Sequence, residues 1–303
     1  PFFTGWHAPD TLGGAPLFPI LFITVACGAC SGFHSIVASG TTSKQLNRET
    51  DAKPVGYGSM LLEGLLAVLS LATLMIIAPR AGGRPLTPNA VFASGIAEFG
   101  RRILGPLWPV DGAIAADRGY QILYQFALLC FATFVFDTLD ACTRLARYVL
   151  GEALKWRTAA GRVWTTVITL ALPALALMIP PLKVGGVAQP LWRVFWGIFG
   201  SANQLLAALA LLGLAAWVGR RRGPWWIAFL PMLFMMTMTL WSIILSITQY
   251  AGKWLAGAPL EIMVHVQFFV NALLLVLAVL LMVEGVLTAL IIRRERREAA
   301  PSC

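Results

Sequence analysis

The sequence predicts an all-α integral membrane protein with about seven transmembrane helices. Three observations carry that reading. First, hydrophobic residues make up 58% of the 303 residues and charged residues 12%, against roughly 25% charged in a soluble domain. Second, apolar runs of about 20 residues recur along the chain, each long enough at 1.5 Å per residue to cross a bilayer; mean hydropathy is +0.76. Third, Lys and Arg gather at the ends of those runs, as at Arg220, Arg221 and Arg222, and again at Arg293, Arg294, Arg296 and Arg297. A soluble enzyme and a disordered chain are both excluded by this composition. The net charge of +9 follows membrane boundaries rather than the continuous basic face of a nucleic-acid binder, so no nucleic-acid partner is expected.

The expected spans run Pro16 to Val37, Val55 to Ala78, Tyr120 to Ala141, Val163 to Ile179, Trp192 to Val218, Trp225 to Thr248 and Met263 to Ile292. Residues 1–15 read as an extracytoplasmic lead-in, 16–78 as two core helices and 79–119 as a loop. Residues 120–292 read as a five-helix bundle and 293–303 as a cytoplasmic tail. Within the loop, Asn89 to Leu104 has apolar residues at helical spacing with Arg101 and Arg102 on the other side. That suits an interfacial or short gating helix, or a solvated surface helix, ended by Pro106 and Pro109. With an outer N-terminus, segments 40–54, 142–162, 219–224 and the tail after Ile292 lie inside and hold fifteen of the 23 Lys and Arg residues. The positive-inside rule therefore predicts an extracytoplasmic N-terminus and a cytoplasmic C-terminus in a bacterial inner membrane. The chain begins at Pro1 with no leader before the first span, and is expected to be a piece of a longer protein.

No metal or cofactor is expected. Cys27 and Cys30 form a CxxC without a second pair, and His7, His34 and His265 are scattered. The chain carries no HExxH, GxSxG or phosphate-binding glycine loop, so it is not expected to be an enzyme.

Polar residues inside a span are expensive and therefore informative. On the first span, Thr24, Cys27, Ser31 and His34 fall on one face if the helix is continuous. Gly28 and Gly32 weaken that helix, and free carbonyls there can line a site. His34 either relays protons or is satisfied by a neighbouring helix. Glu63 on the second span shares a face with Ser59, Ala67 and Ser70, and either exchanges protons or forms a structural ion pair. On the third span Asp137, Asp140, Arg144 and Arg147 share one face. Asp140 and Arg144 are spaced to pair, either as part of a site or only as an anchor at the cytoplasmic end, which leaves Asp137 as the better protonatable carboxyl. Asn203 and Gln204 on the fifth span read either as helix glue or as substrate contacts. Thr239, Ser242, Ser246 and Gln249 line a stripe of the sixth span, and Gln267 and Asn271 lie on the last.

Four stretches together resemble the carbon starvation protein A family of bacterial membrane transporters. They are LFPILFITVACGACSGFHSIVASGTTSK (Leu17 to Lys44), ETDAKPVGYGSMLLE (Glu49 to Glu63), TLDACTRLARY (Thr138 to Tyr148) and FGSANQLLAAL (Phe199 to Leu209). The resemblance covers nearly the whole chain and corresponds to the C-terminal part of a family member. It implies a fold related to the broken-helix, inverted-repeat (LeuT-like) transporters. It also implies ion-driven uptake of peptides or pyruvate in carbon starvation, with N-terminal helices supplied from outside this chain. Its motif positions include Ser31, Gly32, His34, Ser39, Gly40, Thr41, Thr42, Glu63, Asp140, Thr143, Arg144, Asn203 and Gln204.

The resulting expectation is a proton-coupled symporter. Ser31, Gly32, Ser39, Gly40, Thr41, Thr42, Arg144, Asn203 and Gln204 are its substrate-binding candidates, and His34, Glu63, Asp137 and Asp140 its proton-coupling candidates. The alternatives are a sodium-coupled symporter using first-span hydroxyls and carbonyls, and a membrane-embedded sensor or scaffold without transport. Its partners are a small-molecule substrate, a coupling ion and the lipid bilayer.

Overall fold

The computed structural model describes residues 5–6, 16–77, 87–104, 118–156, 158–184, 187–257 and 262–298. Most of the lead-in, His7, Ala78, Pro106, Pro109 and the last residues of the tail lie outside them. Ten α-helices are described: α1 (Phe22–Ala29), α2 (Gly32–Val37), α3 (Ser43–Gln45), α4 (Ser59–Ile77), α5 (Pro88–Leu104), α6 (Arg118–Ala153), α7 (Ala159–Met178), α8 (Leu191–Arg220), α9 (Trp226–Leu255) and α10 (Ile262–Glu298). Seven helical stretches are long and apolar enough to cross a membrane, in keeping with a multi-pass membrane protein. The structure is not purely helical. Between α7 and α8, strands β1 (Leu182–Val184) and β2 (Val187–Gln189) pair antiparallel, with Leu182 opposite Gln189.

Several spans differ from their expected bounds; the sixth, α9, runs to Leu255 rather than Thr248, and the last, α10, to Glu298 rather than Ile292. The first stretch runs Leu17–Gln45 and the second Glu49–Ile77, because π-helical and 3-10 turns extend both past the apolar core. α6 continues from the expected end at Ala141 to Ala153, and α7 starts at Ala159, so most of the expected inner loop 142–162 is helix. The chain there has no proline and no glycine before Gly151, and the Asp140–Arg144 ion pair at 2.6 Å supports continuation of the turn.

The chain divides into two compact units, one of residues 1–39 and 170–303, the other of residues 40–169. In the first, α8, α9 and α10 pack together. Leu205, Ala208 and Leu212 recur at three- and four-residue spacing on α8, Met232, Met236 and Ile243 on α9, and Leu274 and Ala278 on α10. Ala208, Ile243 and Ala278 are fully buried. Small residues at the contact let helices approach where the lipid supplies no hydrophobic drive. In the polar stripe of α9, Thr239 and Ser242 are buried and Gln249 is exposed; Thr239 Oγ1 donates to Met235 O at 2.8 Å and Ser246 Oγ to Ser242 O at 2.9 Å.

In the second unit, α5 packs on both α4 and α6. Its contact face is made of small residues, with Ala93 and Ala97 fully buried. A Cβ on Gly95 would overlap the Thr73 side chain of α4, and one on Gly100 would lie 2.6 Å from Leu123 of α6. Glu98 is also buried on this helix, at 4% exposure. Arg101 and Arg102 do not simply occupy the opposite face; Nε of each donates to the Glu98 carboxylate, at 3.4 and 3.1 Å.

Burial raises the Glu98 carboxyl, but the hydrogen bonds and charges of Arg101 and Arg102 outweigh it and hold it below its usual value. A group whose folded value is depressed contributes stability above its unfolded value of about 4.3, and loses it as pH falls through the folded value. Glu98→Gln should therefore lower the thermal midpoint at pH 7, through loss of charge-assisted bonds of roughly 1.5–3 kcal/mol. The gap to the wild type should close below about pH 4. Thermal unfolding of both proteins in detergent across that range checks this; a gap that does not change with pH contradicts it.

Candidate functional site

The first span is discontinuous. α1 ends at Ala29, Cys30 bends, and Ser31 is extended (φ −116°, ψ 127°) before α2 begins at Gly32. A break in a span leaves carbonyls at the end of one half-helix and N–H groups at the start of the other without intrahelical partners. In hydrocarbon such groups must be met by protein. Here α8 meets them.

Asn203, 4% exposed, projects from α8 into the break. Its Oδ1 accepts from Phe33 N at 2.7 Å and from Ser31 Oγ at 3.1 Å. Its Nδ2 donates to Cys27 Sγ at 3.0 Å. The adjacent Gln204 is fully buried. With its amide oriented to satisfy both neighbours, Nε2 donates to Cys30 O at 2.9 Å and Oε1 accepts from Cys27 N at 3.1 Å. Two consecutive amides thus clasp both sides of the break. Ser31 caps α2 through its Oγ, which accepts from His34 N at 3.4 Å, and Ser35 Oγ donates to Gly32 O at 2.6 Å.

The break corrects one expectation. Thr24, Cys27, Ser31 and His34 do not share a helical face, because the extended Ser31 interrupts the count. Cys27 and Ser31 both touch Asn203, whereas the His34 side chain is exposed. Ser39 Oγ back-bonds to Ser35 O at 2.9 Å. Of the substrate-binding candidates, the structure brings Ser31, Gly32, Asn203 and Gln204 together in the first unit.

Ser39 and His34 also belong to the first unit, and the remaining candidates to the second. Gly40, Thr41 and Thr42 form a π-helical turn with Ala38 and Ser39. A Cβ on Gly40 would lie 2.8 Å from the buried Leu145 side chain of α6. Arg144 pairs with Asp140, and both side chains are about half exposed, at 47% and 56%. Glu63 on α4 and Asp137 on α6 are exposed. Neither makes an ion pair among the described residues.

Three features escaped the sequence reading. One is the Glu98–Arg101–Arg102 cluster, whose i,i+3 and i,i+4 spacing was legible. Another is Tyr250 Oη against His265 Nδ1 at 2.7 Å; these residues lie fifteen apart on different helices, with no local signal. The third is Cys27 as a partner of Asn203. Among the described residues no group of His, Cys, Asp or Glu is arranged to hold a metal ion.

The family described as "Carbon starvation protein CstA" matches residues 7–92 and 86–242. The chain belongs to that family. Among its relatives is the peptide transporter CstA of Escherichia coli (strain K12), 31% identical over 273 residues, covering 74% of this chain and 38% of the relative. The peptide transporter CstA of Helicobacter pylori (strain ATCC 700392 / 26695) is 32% identical over 279 residues, covering 76% and 40%. The pyruvate/proton symporter BtsT of Escherichia coli (strain K12) is 29% identical over 293 residues, covering 75% and 40%. All three are named as transporters rather than enzymes. The chain spans about two fifths of the length of these curated relatives. No solved structure matches it.

Gly32 is where the clasp leaves no room. A Cβ there would overlap Asn203 O and Leu206 Cβ and lie 2.6 Å from Ala207 N. Backbone cannot yield as a flexible side chain does, so Gly32→Ala should cost at least about 1–3 kcal/mol, the range for overpacking. Gly28→Ala, with nothing within 4 Å of its Cβ, should be tolerated. Thermal unfolding of both variants checks the contrast; equal midpoints would contradict it.

Proposed function

We propose that this chain is the C-terminal helical bundle of a secondary transporter that takes up peptides or pyruvate, driven by a proton gradient, when carbon runs short. The observation that carries the reading is the discontinuous first span with its ends clasped by Asn203 and Gln204. Transporter sites are commonly built at such breaks, where half-helix ends meet a substrate carboxylate or an ion. The printed names of the relatives add the substrate classes and, in one case, the proton. The fold is then of the broken-helix, inverted-repeat (LeuT-like) kind.

In this reading the substrate carboxylate meets either Arg144 or backbone groups near Gly32 to Gly40, with Ser31, Ser39, Thr41 and Thr42 as the other candidates. Asn203 and Gln204 hold the break open for it, since their amides are already engaged there. Arg144 carries Asp140 with it, so substrate and Asp140 compete for one guanidinium, and Asp140 takes a proton when displaced. His34, Glu63 and Asp137 are the other proton-coupling candidates. Exposed carboxylates on membrane-spanning helices are costly against lipid. The stretches of α4 and α6 immediately around Glu63 and Asp137 are therefore where the remaining helices of the transporter pack. The N-terminus lies outside and the C-terminus in the cytoplasm of a bacterial inner membrane, as the Lys and Arg distribution indicates.

Pyruvate and dipeptide uptake into proteoliposomes, with the remaining helices supplied, tests this under an imposed pH gradient with and without sodium. The expected result is uptake that collapses with a protonophore, is indifferent to sodium, and falls at least tenfold in Glu63→Gln and Asp137→Asn. Undiminished uptake in both variants would remove their proton role. Dependence on sodium at fixed pH would replace the coupling ion. No uptake from folded protein would favour a sensor or scaffold.

A further inference from the structure

The turn between α6 and α7 is built tightly. Leu154 N donates to Leu150 O at 2.9 Å and Trp156 N to Gly151 O at 2.9 Å. Lys155 takes a left-handed conformation (φ 56°) to allow this. Thr158 Oγ1 accepts from Gly161 N at 3.1 Å and starts α7. Gly161 is buried, and a Cβ on it would lie 2.8 Å from Trp156 Cβ. The Trp156 backbone is thus fixed by the turn, and its Cβ lies against Gly161.

Against this turn lies a cleft of about 420 Å³ whose wall includes Lys44, Arg147, Tyr148, Glu152, Trp156 and Arg162. Three cations face one carboxylate. Among the described residues none of the three cations is ion-paired; Lys44 and Arg147 lie instead over the Tyr148 ring, 6.0 and 5.2 Å from its centroid. A second cleft, of about 480 Å³, shares Arg147 and Arg162 and continues along α7 past Val163, Thr166 and Val167. Val163 and Val167 are 62% and 47% exposed. The two clefts together have one cationic, aromatic-rimmed end and one apolar end, joined at two arginines.

We propose that these joined clefts bind an anionic phospholipid. Its phosphate sits between Arg147 and Arg162, with Lys44 on the far wall, and an acyl chain lies along Val163 and Val167. Trp156 and Tyr148 lie at headgroup depth, where such rings concentrate, and a basic pocket between spans is how an anionic headgroup is held. The apolar continuation is what favours a lipid over a soluble phosphate. The inference rests on α6 and α7 spanning the bilayer and not on the transport reading.

Native mass spectrometry of the full chain, released from vesicles of phosphatidylglycerol and phosphatidylcholine in equal parts, tests it. The wild type should retain phosphatidylglycerol in preference. Each basic residue near an anionic lipid is worth about fivefold in affinity, so Arg147→Gln with Arg162→Gln should lose on the order of 25-fold. Arg162→Lys should retain most of the binding. Arg220→Gln with Arg221→Gln, a cationic pair on α8 and its cap, should match the wild type. Monodispersity and unchanged thermal midpoints confirm that the variants fold; if the double variant does not, the single Arg162→Gln, expected to lose fivefold, carries the comparison. Equal retention of both lipids, equal loss in the Arg220 and Arg221 control, or displacement of the lipid by millimolar inorganic phosphate would each overturn the proposal.

Discussion

The structure depends on the repair of a broken helix. A span interrupted at Cys30 and Ser31 exposes backbone donors and acceptors in a medium that offers them nothing, at a cost of several kcal/mol for each group left unmet. Asn203 and Gln204 supply a donor and an acceptor each, and distribute them to both half-helices. This works only if α8 is close and fixed. Gly32 provides the closeness, since its missing side chain lets the start of α2 rest on the α8 backbone. The packing of α8 with α9 and α10 through Ala208, Ile243 and Ala278 provides the fixity. A local irregularity is thereby converted into a defined geometry, and a defined irregularity is what a transport site is made from.

The second unit is held by another logic. Small residues on α5 bring α4 and α6 against it, and the buried carboxylate of Glu98 is paired within its own helix with two arginines. The unit keeps its internal charges satisfied while the outer faces of α4 and α6 carry Glu63 and Asp137. The chain covers about 40% of the relatives' length.

The membrane class and the number of spans were legible, because length and hydropathy alone determine whether a helix can cross. The weakness near Gly28 and Gly32 was legible too, from the glycines themselves. That Ser31 is fully extended was not, since the break is stabilised by Asn203 and Gln204, about 170 residues away, and local pattern carries no such information. For the same reason the count from Thr24 to His34 failed: it assumed one continuous helix. The extension of α6 to Ala153 was missed because hydropathy marks where the bilayer ends, not where the helix does. Arg144 and Arg147 are poor membrane residues but good helix formers. The Asp140–Arg144 pair was readable from spacing, as the Glu98 cluster would have been.

Amide hydrogen exchange across residues 30–37 tests the central claim most directly. If Asn203 holds the break, Phe33 N–H is protected in the wild type. Asn203→Leu should then speed its exchange by about tenfold or more, the effect of losing roughly 1.5 kcal/mol of hydrogen bonding, while the core of α9 around Ile243 is unchanged. Rapid exchange of Phe33 already in the wild type, or no change on substitution, would contradict it.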